Sequence, residues 1–403
     1  MADDWLTAAE AAARLGVKPE TLYAYVSRGL LPRERPPGSR SSRFRRVDVD
    51  ALRERSHPRS RDRVREVLID SAVTLLDPAG RLLYRGREVT ELAGTWSFER
   101  TAEWLWTGTD VPVPEWRASR SAVRVGRRVL AALPADASVA DRLRTVVAAL
   151  ATTDPMRHDR RPEAVVVTAR GLIAGMVASL DPAGAATPAG AAPASVASMV
   201  WRGLSPRTPR AADLALLDRV LVLVADHELA ASTFAARIAA ATWADPYLVV
   251  LSGMSALGGS LHGGASGQAV VLLRELVAGT PADRAVGERL RAAETIPGFG
   301  HAVYRERDPR AVDLFAALDR VRLPARLRRA VDDLVEVMAT RGGPGPNVDL
   351  AVAVMTEAAG MPADAGEALY AVARTAGWIA HGMEEYEHRL RYRPRANYTG
   401  PVA

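Results

Sequence analysis

Apolar residues recur along most of the chain at intervals of three and four, the period of a helix with one buried face. The pattern holds over residues 66–180 and again from Arg210 almost to the end. Gly- and Pro-rich stretches interrupt it at 258–267, 296–300 and 342–346. Alternation of the strand type is rare, and Leu82, Leu83 and Tyr84 form one short extended segment. The predicted fold class is therefore mainly α. Residues 181–196, rich in Ala, Pro and Gly, predict a surface loop. The segment Ala-Asp-His-Glu around His227 falls inside helical spacing and is predicted on a helix. No repeat of 20–50 residues emerges.

The first sixth of the chain has its own pattern. Leu6 to Gly16 reads as a short helix with Thr7 as N-cap. Gly16 and Val17 make a turn, and Pro19 opens a second helix to Arg28 at a position proline favours. Leu15, Val17, Leu22 and Val26 form one small apolar face. A loop rich in Pro, Gly, Ser and Arg covers Leu31 to Ser42. Arg43 to Val47 predicts a short wing strand and Asp48 to Arg55 a closing helix. Ser56 to Arg65, polar and carrying Pro58, reads as a linker.

Composition narrows the classes. A chain of 403 residues, 48% hydrophobic and 25% charged, has the balance of a globular protein with two or three units. No uncharged apolar run reaches the ~18 residues of a membrane helix, and Met-Ala-Asp-Asp-Trp lacks the basic and apolar regions of a secretory signal. The Cys count is 0, which excludes disulfides, thiolate metal sites and a cysteine nucleophile. These features predict a cytoplasmic protein without membrane contact. Lys18 is the only lysine, an Arg bias in keeping with GC-rich coding. The charge is uneven: residues 1–65 hold 15 basic and 9 acidic residues, and the rest of the chain balances at 38 of each. A local positive patch suits an anionic partner such as DNA.

Each glycine-rich break carries a titratable group: His262 in Leu-His-Gly-Gly-Ala, His301 in Pro-Gly-Phe-Gly-His-Ala-Val-Tyr, Asp349 in Pro-Asn-Val-Asp. Glycine stands where backbone approaches a ligand or another helix, and helix ends tune imidazoles. One carboxylate and two imidazoles suit one reaction. The carboxylate removes a proton alpha to a carbonyl, one His meets the enolate oxygen, and the other polarises an electrophile. Arg310, Arg374 and Arg393 are candidate clamps for a dicarboxylate electrophile. On spacing alone, satisfied helix-end histidines and surface arginines are the alternative.

These segments resemble the citrate synthase family. His262-Gly263-Gly264-Ala265 resembles its His-Gly-Gly-Ala loop, and Gly298 to Arg310 its Gly-x-Gly-His…Asp-Pro-Arg signature. Asn347-Val348-Asp349, Arg374 to His381 and Arg391 to Gly400 resemble its Pro-Asn-Val-Asp, Arg-x-x-Gly-Trp-x-Ala-His and Arg-Pro-Arg-Ala-x-Tyr-x-Gly. Tyr84-Arg85-Gly86 and Asp226-His227-Glu228 match earlier motifs, in the family's order over about 68–400. The resemblance implies a citrate-synthase fold: a large helical domain from 67–257 and 365–403, and a small one over 258–364, with the cleft between them. It implies an acyltransferase that condenses acetyl-CoA, or propionyl-CoA, with oxaloacetate. Asp349 would be the base, with His262 on the thioester oxygen and His301 on the ketone. His227, Arg310 and Arg374 would bind oxaloacetate, with Arg393 crossing from the partner of a homodimer. Arg305 and Arg341 would meet the CoA phosphates, and no metal or other cofactor is implied. The chain departs from the family at Ser266-Gly267, Ala230 and Leu350-Ala351-Val352, near the acyl and CoA side.

Residues 1–56 resemble the winged helix-turn-helix of the MerR and excisionase type, with 57–66 as linker. The resemblance turns Lys18, Thr21 and Tyr23 toward a major groove and Arg43, Arg45 and Arg46 toward phosphates. An assembly or solubilising role is the alternative. The rival to the enzyme is a transcription regulator that senses a metabolite on the same fold.

Overall fold

The computed structural model describes residues 5–15, 17, 19–27, 31–34, 42–50, 68–77, 80–182, 194–260, 262–292, 294–304, 306–388, 392–395 and 400. The chain divides into two compact units, Met1–Ile69 and Asp70–Ala403. Most of the expected loop at 181–196 and all of the expected linker lie outside the described residues.

In the first unit, helices Ala8–Leu15 and Pro19–Ser27 form the expected pair. Thr7 and Glu10 cap the first reciprocally: the Thr7 N–H donates to Glu10 Oε2 at 2.8 Å, and the Glu10 N–H to Thr7 Oγ1 at 3.3 Å. A strand at Trp5–Thr7 pairs antiparallel with Arg43–Arg45, Leu6 opposite Phe44. That strand was not expected, because three residues are too few to display alternation. The first helix begins at Ala8, directly after Thr7 as expected, and the closing helix begins at Arg46 rather than Asp48. Leu6, Ala12, Leu15, Leu22, Leu31 and Phe44 are buried in a core of the unit's own.

In the second unit, helices carry nearly everything. A small antiparallel sheet joins Thr74–Leu76, Leu82–Tyr84 and Arg87–Glu88. Arg85 (φ 45°) and Gly86 (φ 82°) form the two-residue turn between the last two strands. Short polar side chains set several helix starts. Ser97, Ser119, Ser138, Ser195, Asp245, Asp308 and Asn347 each accept a backbone N–H from the first turn. Each such cap is worth about 1 kcal/mol.

The central element is the helix Ala365–Tyr386, buried on nearly all its faces. Its Trp378 is fully buried against Gly253 of helix Pro246–Leu257. A Cβ at Gly253 would lie 2.5 Å from the indole, so only glycine admits that approach. Helix Pro162–Leu180 has the length and apolar composition of a membrane span, with 67% of its window buried within the protein. It is a core helix by that burial.

His227 does not sit on a helix. It lies in the junction between helices Ala211–Leu223 and Ala231–Ala241. The Asp226 carboxylate accepts the Glu228 N–H at 3.0 Å, and Glu228 turns to φ 55°. A side chain that satisfies its own backbone two residues on competes with the helical ladder, and apolar spacing does not report it. Tyr84 holds this junction from the sheet. Its hydroxyl accepts the Asp226 N–H at 2.9 Å and lies 3.2 and 3.0 Å from the carbonyl oxygens of Val222 and Asp226.

Candidate active site

Two glycine-rich segments are stitched together. Asn347 caps helix Val348–Ala358 through Oδ1, accepting the N–H groups of Asp349 and Leu350. Its Nδ2 donates to the Gly300 carbonyl at 2.7 Å, its own N–H donates to Gly298 O at 2.9 Å, and the Gly300 N–H donates to Gly345 O at 2.9 Å. Gly298 and Gly300 have φ of 85° and 75°. A Cβ on Gly298 would stand 2.8 Å from the Leu350 Cβ. The glycines therefore let the His301 loop lie against the helix start that carries Asp349.

The Asp-Pro-Arg segment opens helix Pro309–Leu318 next to them. Asp308 is its N-cap and binds Arg310 through two hydrogen bonds, 3.0 and 2.9 Å long, with both side chains buried. Asp308 also accepts the Val348 N–H at 3.0 Å. One carboxylate thus ties the Arg310 helix to the Asp349 helix. The Arg310 guanidinium lies 5.2 Å from the centre of the Tyr304 ring.

The imidazoles are held in defined forms. His301 Nδ1 accepts the N–H groups of Val303 (3.0 Å) and Tyr304 (3.3 Å), so its proton resides on Nε2. His262 Nε2 lies 3.4 Å from the Ser232 N–H, which donates to it, and 2.9 Å from Ser232 Oγ. Its proton therefore resides on Nδ1. The two histidines present opposite nitrogens as donors. The His227 and His301 rings meet edge to face with centroids 5.2 Å apart, and His227 Nε2 is 3.2 Å from Tyr304 Oη.

Helix Ala365–Tyr386 supplies the remaining groups. Arg374 donates to the Val224 carbonyl at 3.0 Å and is buried. Tyr370, one turn earlier, donates its hydroxyl proton to Asp349 Oδ1 at 3.0 Å. His381, two turns later, faces Asp226 at 3.3 Å and Arg237 at 2.8 Å. Gly377 donates its N–H to Ala225 O at 3.1 Å, bringing the helix backbone against the His227 junction.

The electrostatics agree with one shared cleft. Burial, then Arg310 and Arg374, then His301 and His262, hold His227 well below an ordinary imidazole. Burial and Arg310 bring His301 down to about 4, and burial and Arg374 lower His262. Burial raises the Asp349 carboxyl, against the Tyr370 hydrogen bond and the charge of Arg310. The three imidazoles are thus neutral donors at neutral pH, and the carboxylate is a strengthened base. A cavity of about 120 Å³ lies beside them, lined by His301, Tyr304, Asp308 and Asn347 among others.

His227, His262, His301, Arg310, Arg374 and Asp349 are therefore brought together. Arg393 is exposed, next to Tyr392, whose hydroxyl donates to Glu385 at 2.5 Å. Arg341 is exposed at the end of helix Ala325–Thr340, and Arg305 lies outside the described residues. Of the family departures, Leu350 packs against Gly298, and Ser266 is buried beneath Gly366. Ala230 begins its helix without a side-chain cap. Sequence reasoning missed Tyr304, Tyr370, Asp308 and Ser232 as members of the site. Asp308 had a signal, since Asp-Pro reads as an N-cap followed by a first-turn proline. The others have none in one dimension.

In the first unit, Tyr23 is 41% exposed and Thr21 half-buried. Arg43 is paired with Glu34 at 2.9 Å and stacks on Trp5, its guanidinium 4.3 Å from the ring centre. Arg45 is exposed and Arg46 half-buried. Lys18 lies outside the described residues.

Residues 65–395 match the family model described as "Citrate synthase, C-terminal domain", and residues 5–57 match "Helix-turn-helix domain". The chain is 34% identical to Citrate synthase 2 of Bacillus subtilis over 49% of this chain and 54% of that protein. Against that relative it therefore spans about half the length. Against the 2-methylcitrate synthase of Mycobacterium tuberculosis it is 30% identical over 83% of this chain and 89% of the relative. It is similar to the crystal structure of citrate synthase from Thermotoga maritima: TM-score 0.65, 29% identity, 84% of this chain and 94% of that one. A citrate synthase from Thermoplasma acidophilum in ternary complex with carboxymethyl coenzyme A and oxaloacetate shares the fold, with TM-score 0.68 and 24% identity over 84% and 95%.

Proposed function

The chain belongs to the citrate synthase family, and on that premise we propose that its cleft condenses a short acyl-CoA, acetyl or propionyl, with oxaloacetate to give citrate or 2-methylcitrate and CoA. One observation carries the reading. A buried carboxylate with raised basicity and two imidazoles of opposite tautomer lie within electrostatic reach of two buried arginines. Asp349 takes a proton from the carbon alpha to the thioester. The His262 Nδ1–H meets the thioester oxygen as the enol forms, and the His301 Nε2–H polarises the ketone and meets the alkoxide after attack. His227, Arg310 and Arg374 hold the oxaloacetate carboxylates, fixing the electrophile within reach. Hydrolysis of the resulting thioester releases CoA, and no cofactor beyond the substrates enters. Residues 258–364 form the small domain and 67–257 with 365–403 the large one, in a cytoplasmic protein.

Thiol release from acetyl- and propionyl-CoA with oxaloacetate tests this directly. Asp349→Asn lowers kcat by about 10³-fold, within the range of a lost general base, while oxaloacetate still binds. Undiminished turnover in that variant excludes Asp349 as the base.

The exposed position of Arg393 supports its contribution to the partner's site in a homodimer. Mixing Asp349→Asn and Arg393→Ala chains, each inactive alone, restores about a quarter of the activity. A randomly mixed hybrid holds one complete site, and half of the dimers are hybrids. No recovery places Arg393 outside a shared site.

For the head, the helix-turn-helix domain and its positive charge support DNA contact. Tyr23 and Arg45 are the exposed candidates, while Arg43 already serves Glu34 and Trp5. Binding to duplex DNA falls steeply with salt, and indifference to salt points to a protein contact instead.

A further inference from the structure

The base needs an orientation that its own helix does not supply. Asp349 stands in the first turn of helix Val348–Ala358, where Asn347 engages its backbone N–H. Tyr370 reaches it from a different element. The hydroxyl lies 3.0 Å from Asp349 Oδ1, and Tyr370 is only 8% exposed. Tyr370 and Arg374 are four residues apart on one helix, so they share a face. The rigid helix that holds the oxaloacetate clamp therefore also presents a proton donor to the base. Arg310 and Asp308 lie within electrostatic reach of the same phenol. A ring without the hydroxyl would fill the same space, so packing alone does not account for a buried O–H aimed at a carboxylate.

We propose that Tyr370 is a positioning residue for the proton transfer: its hydroxyl occupies Asp349 Oδ1 and leaves Oδ2 directed at the carbon alpha to the thioester, in register with the keto-acid held by Arg374. The proposal rests on the reading of Asp349 as the base. The balance of the step is simple. The alpha C–H bond breaks, its proton passes to Asp349 Oδ2, and the electron pair moves into the enolate, whose oxygen accepts a hydrogen bond from the His262 Nδ1–H. The Tyr370 proton stays on the phenol throughout, and its bond to Oδ1 is strongest while Asp349 is anionic. It thereby favours the ionised base and opposes the rise that burial imposes.

The test is the pH profile of kcat in the full-length enzyme. Tyr370→Phe keeps the ring and removes the donor. The acid limb of the profile moves to higher pH by about one unit, with the oxaloacetate KM changed less than about twofold. Replacing Tyr370 by 3-fluorotyrosine, whose hydroxyl is the stronger donor, moves the limb to lower pH. This second variant carries the test if the phenylalanine variant does not fold. A limb that stays in place in the folded variants overturns the proposal. Asp349→Asn, measured in parallel, separates the two ideas. If it retains turnover, the base assignment itself is wrong. If it is inactive while the limb is unmoved by changes at 370, only the role of Tyr370 is wrong.

Discussion

At the scale of single residues, the cleft is a set of polar groups that burial has made expensive and pairing has made stable. Asp308 and Arg310 are the sharpest case, as both are almost wholly buried and each is the other's partner. Removing one partner leaves an uncompensated charge, so Asp308→Ala lowers unfolding stability by about 3 kcal/mol. If Arg310 binds a substrate carboxylate, oxaloacetate recovers part of that loss, and thermal unfolding with and without the ligand measures both effects. The pH dependence of turnover follows from the base. With Asp349 as the proposed base, activity requires its ionised form, and burial raises its carboxyl above the ordinary 3.8, so the acid limb of kcat is expected above that value. Initial rates in buffers of constant ionic strength locate it. The titratable members at 262, 301 and 349 were legible in the sequence because each follows a glycine-rich break. Tyr304, Tyr370 and Ser232 were not, because an aromatic or small polar residue in a helical pattern reads as ordinary packing until its partner is known.

Elements decide how accurately these groups meet. Asn347 is at once the cap of one helix and a donor to the His301 loop. Asn347→Ala is therefore expected to cost about 1–2 kcal/mol of stability and, on the proposed roles of His301 and Asp349, also to lower kcat, since the segments that carry them lose their tether. A cap serving only its helix would leave kcat unchanged in the remaining folded protein. Gly377 is a second such joint. A Cβ there would lie 2.1 Å from Asp226 Oδ1 and 2.7 Å from the Ala225 carbonyl. Gly377→Ala is expected to destabilise by about 2–3 kcal/mol through overpacking, read by urea unfolding. Long amphipathic helices were readable from spacing, because period and length reinforce each other over three or more turns. The junction at His227 was not, because its helix break depends on the Asp226 side chain bonding to nearby backbone. The Trp5–Thr7 strand was hidden for another reason: its partner lies about 38 residues away, and only three residues take part.

For the whole molecule, the cleft imposes a dependence of stability on pH. His227, His262 and His301 all have folded values below the ordinary 6.5. The unfolded chain therefore binds more protons as pH drops below 6.5, and the folded state loses stability in that direction. Above 6.5 both states are neutral at these positions and the penalty is absent. Urea midpoints of residues 70–403, taken from pH 7.5 down to 5, should decline across that range, and substitution of His227 by an uncharged side chain should flatten the decline. The division into a small basic head and a large helical body was visible in the uneven charge and the polar stretch between them. The interior of the body was not, because its helices are buried on several sides and their order in space leaves no periodic trace. The long helix Ala365–Tyr386 has one more consequence, for the order in which a nascent chain acquires activity. Synthesis proceeds from the N-terminus, so the head can collapse on its own core while the ribosome is still far from that helix. The cleft cannot mature then. Arg374, the phenol that faces Asp349 and the backbone that braces the His227 junction all arrive on a single late segment, so chains released before residue 370 would carry the imidazoles at 227, 262 and 301 and, on the proposed reading, turn over nothing.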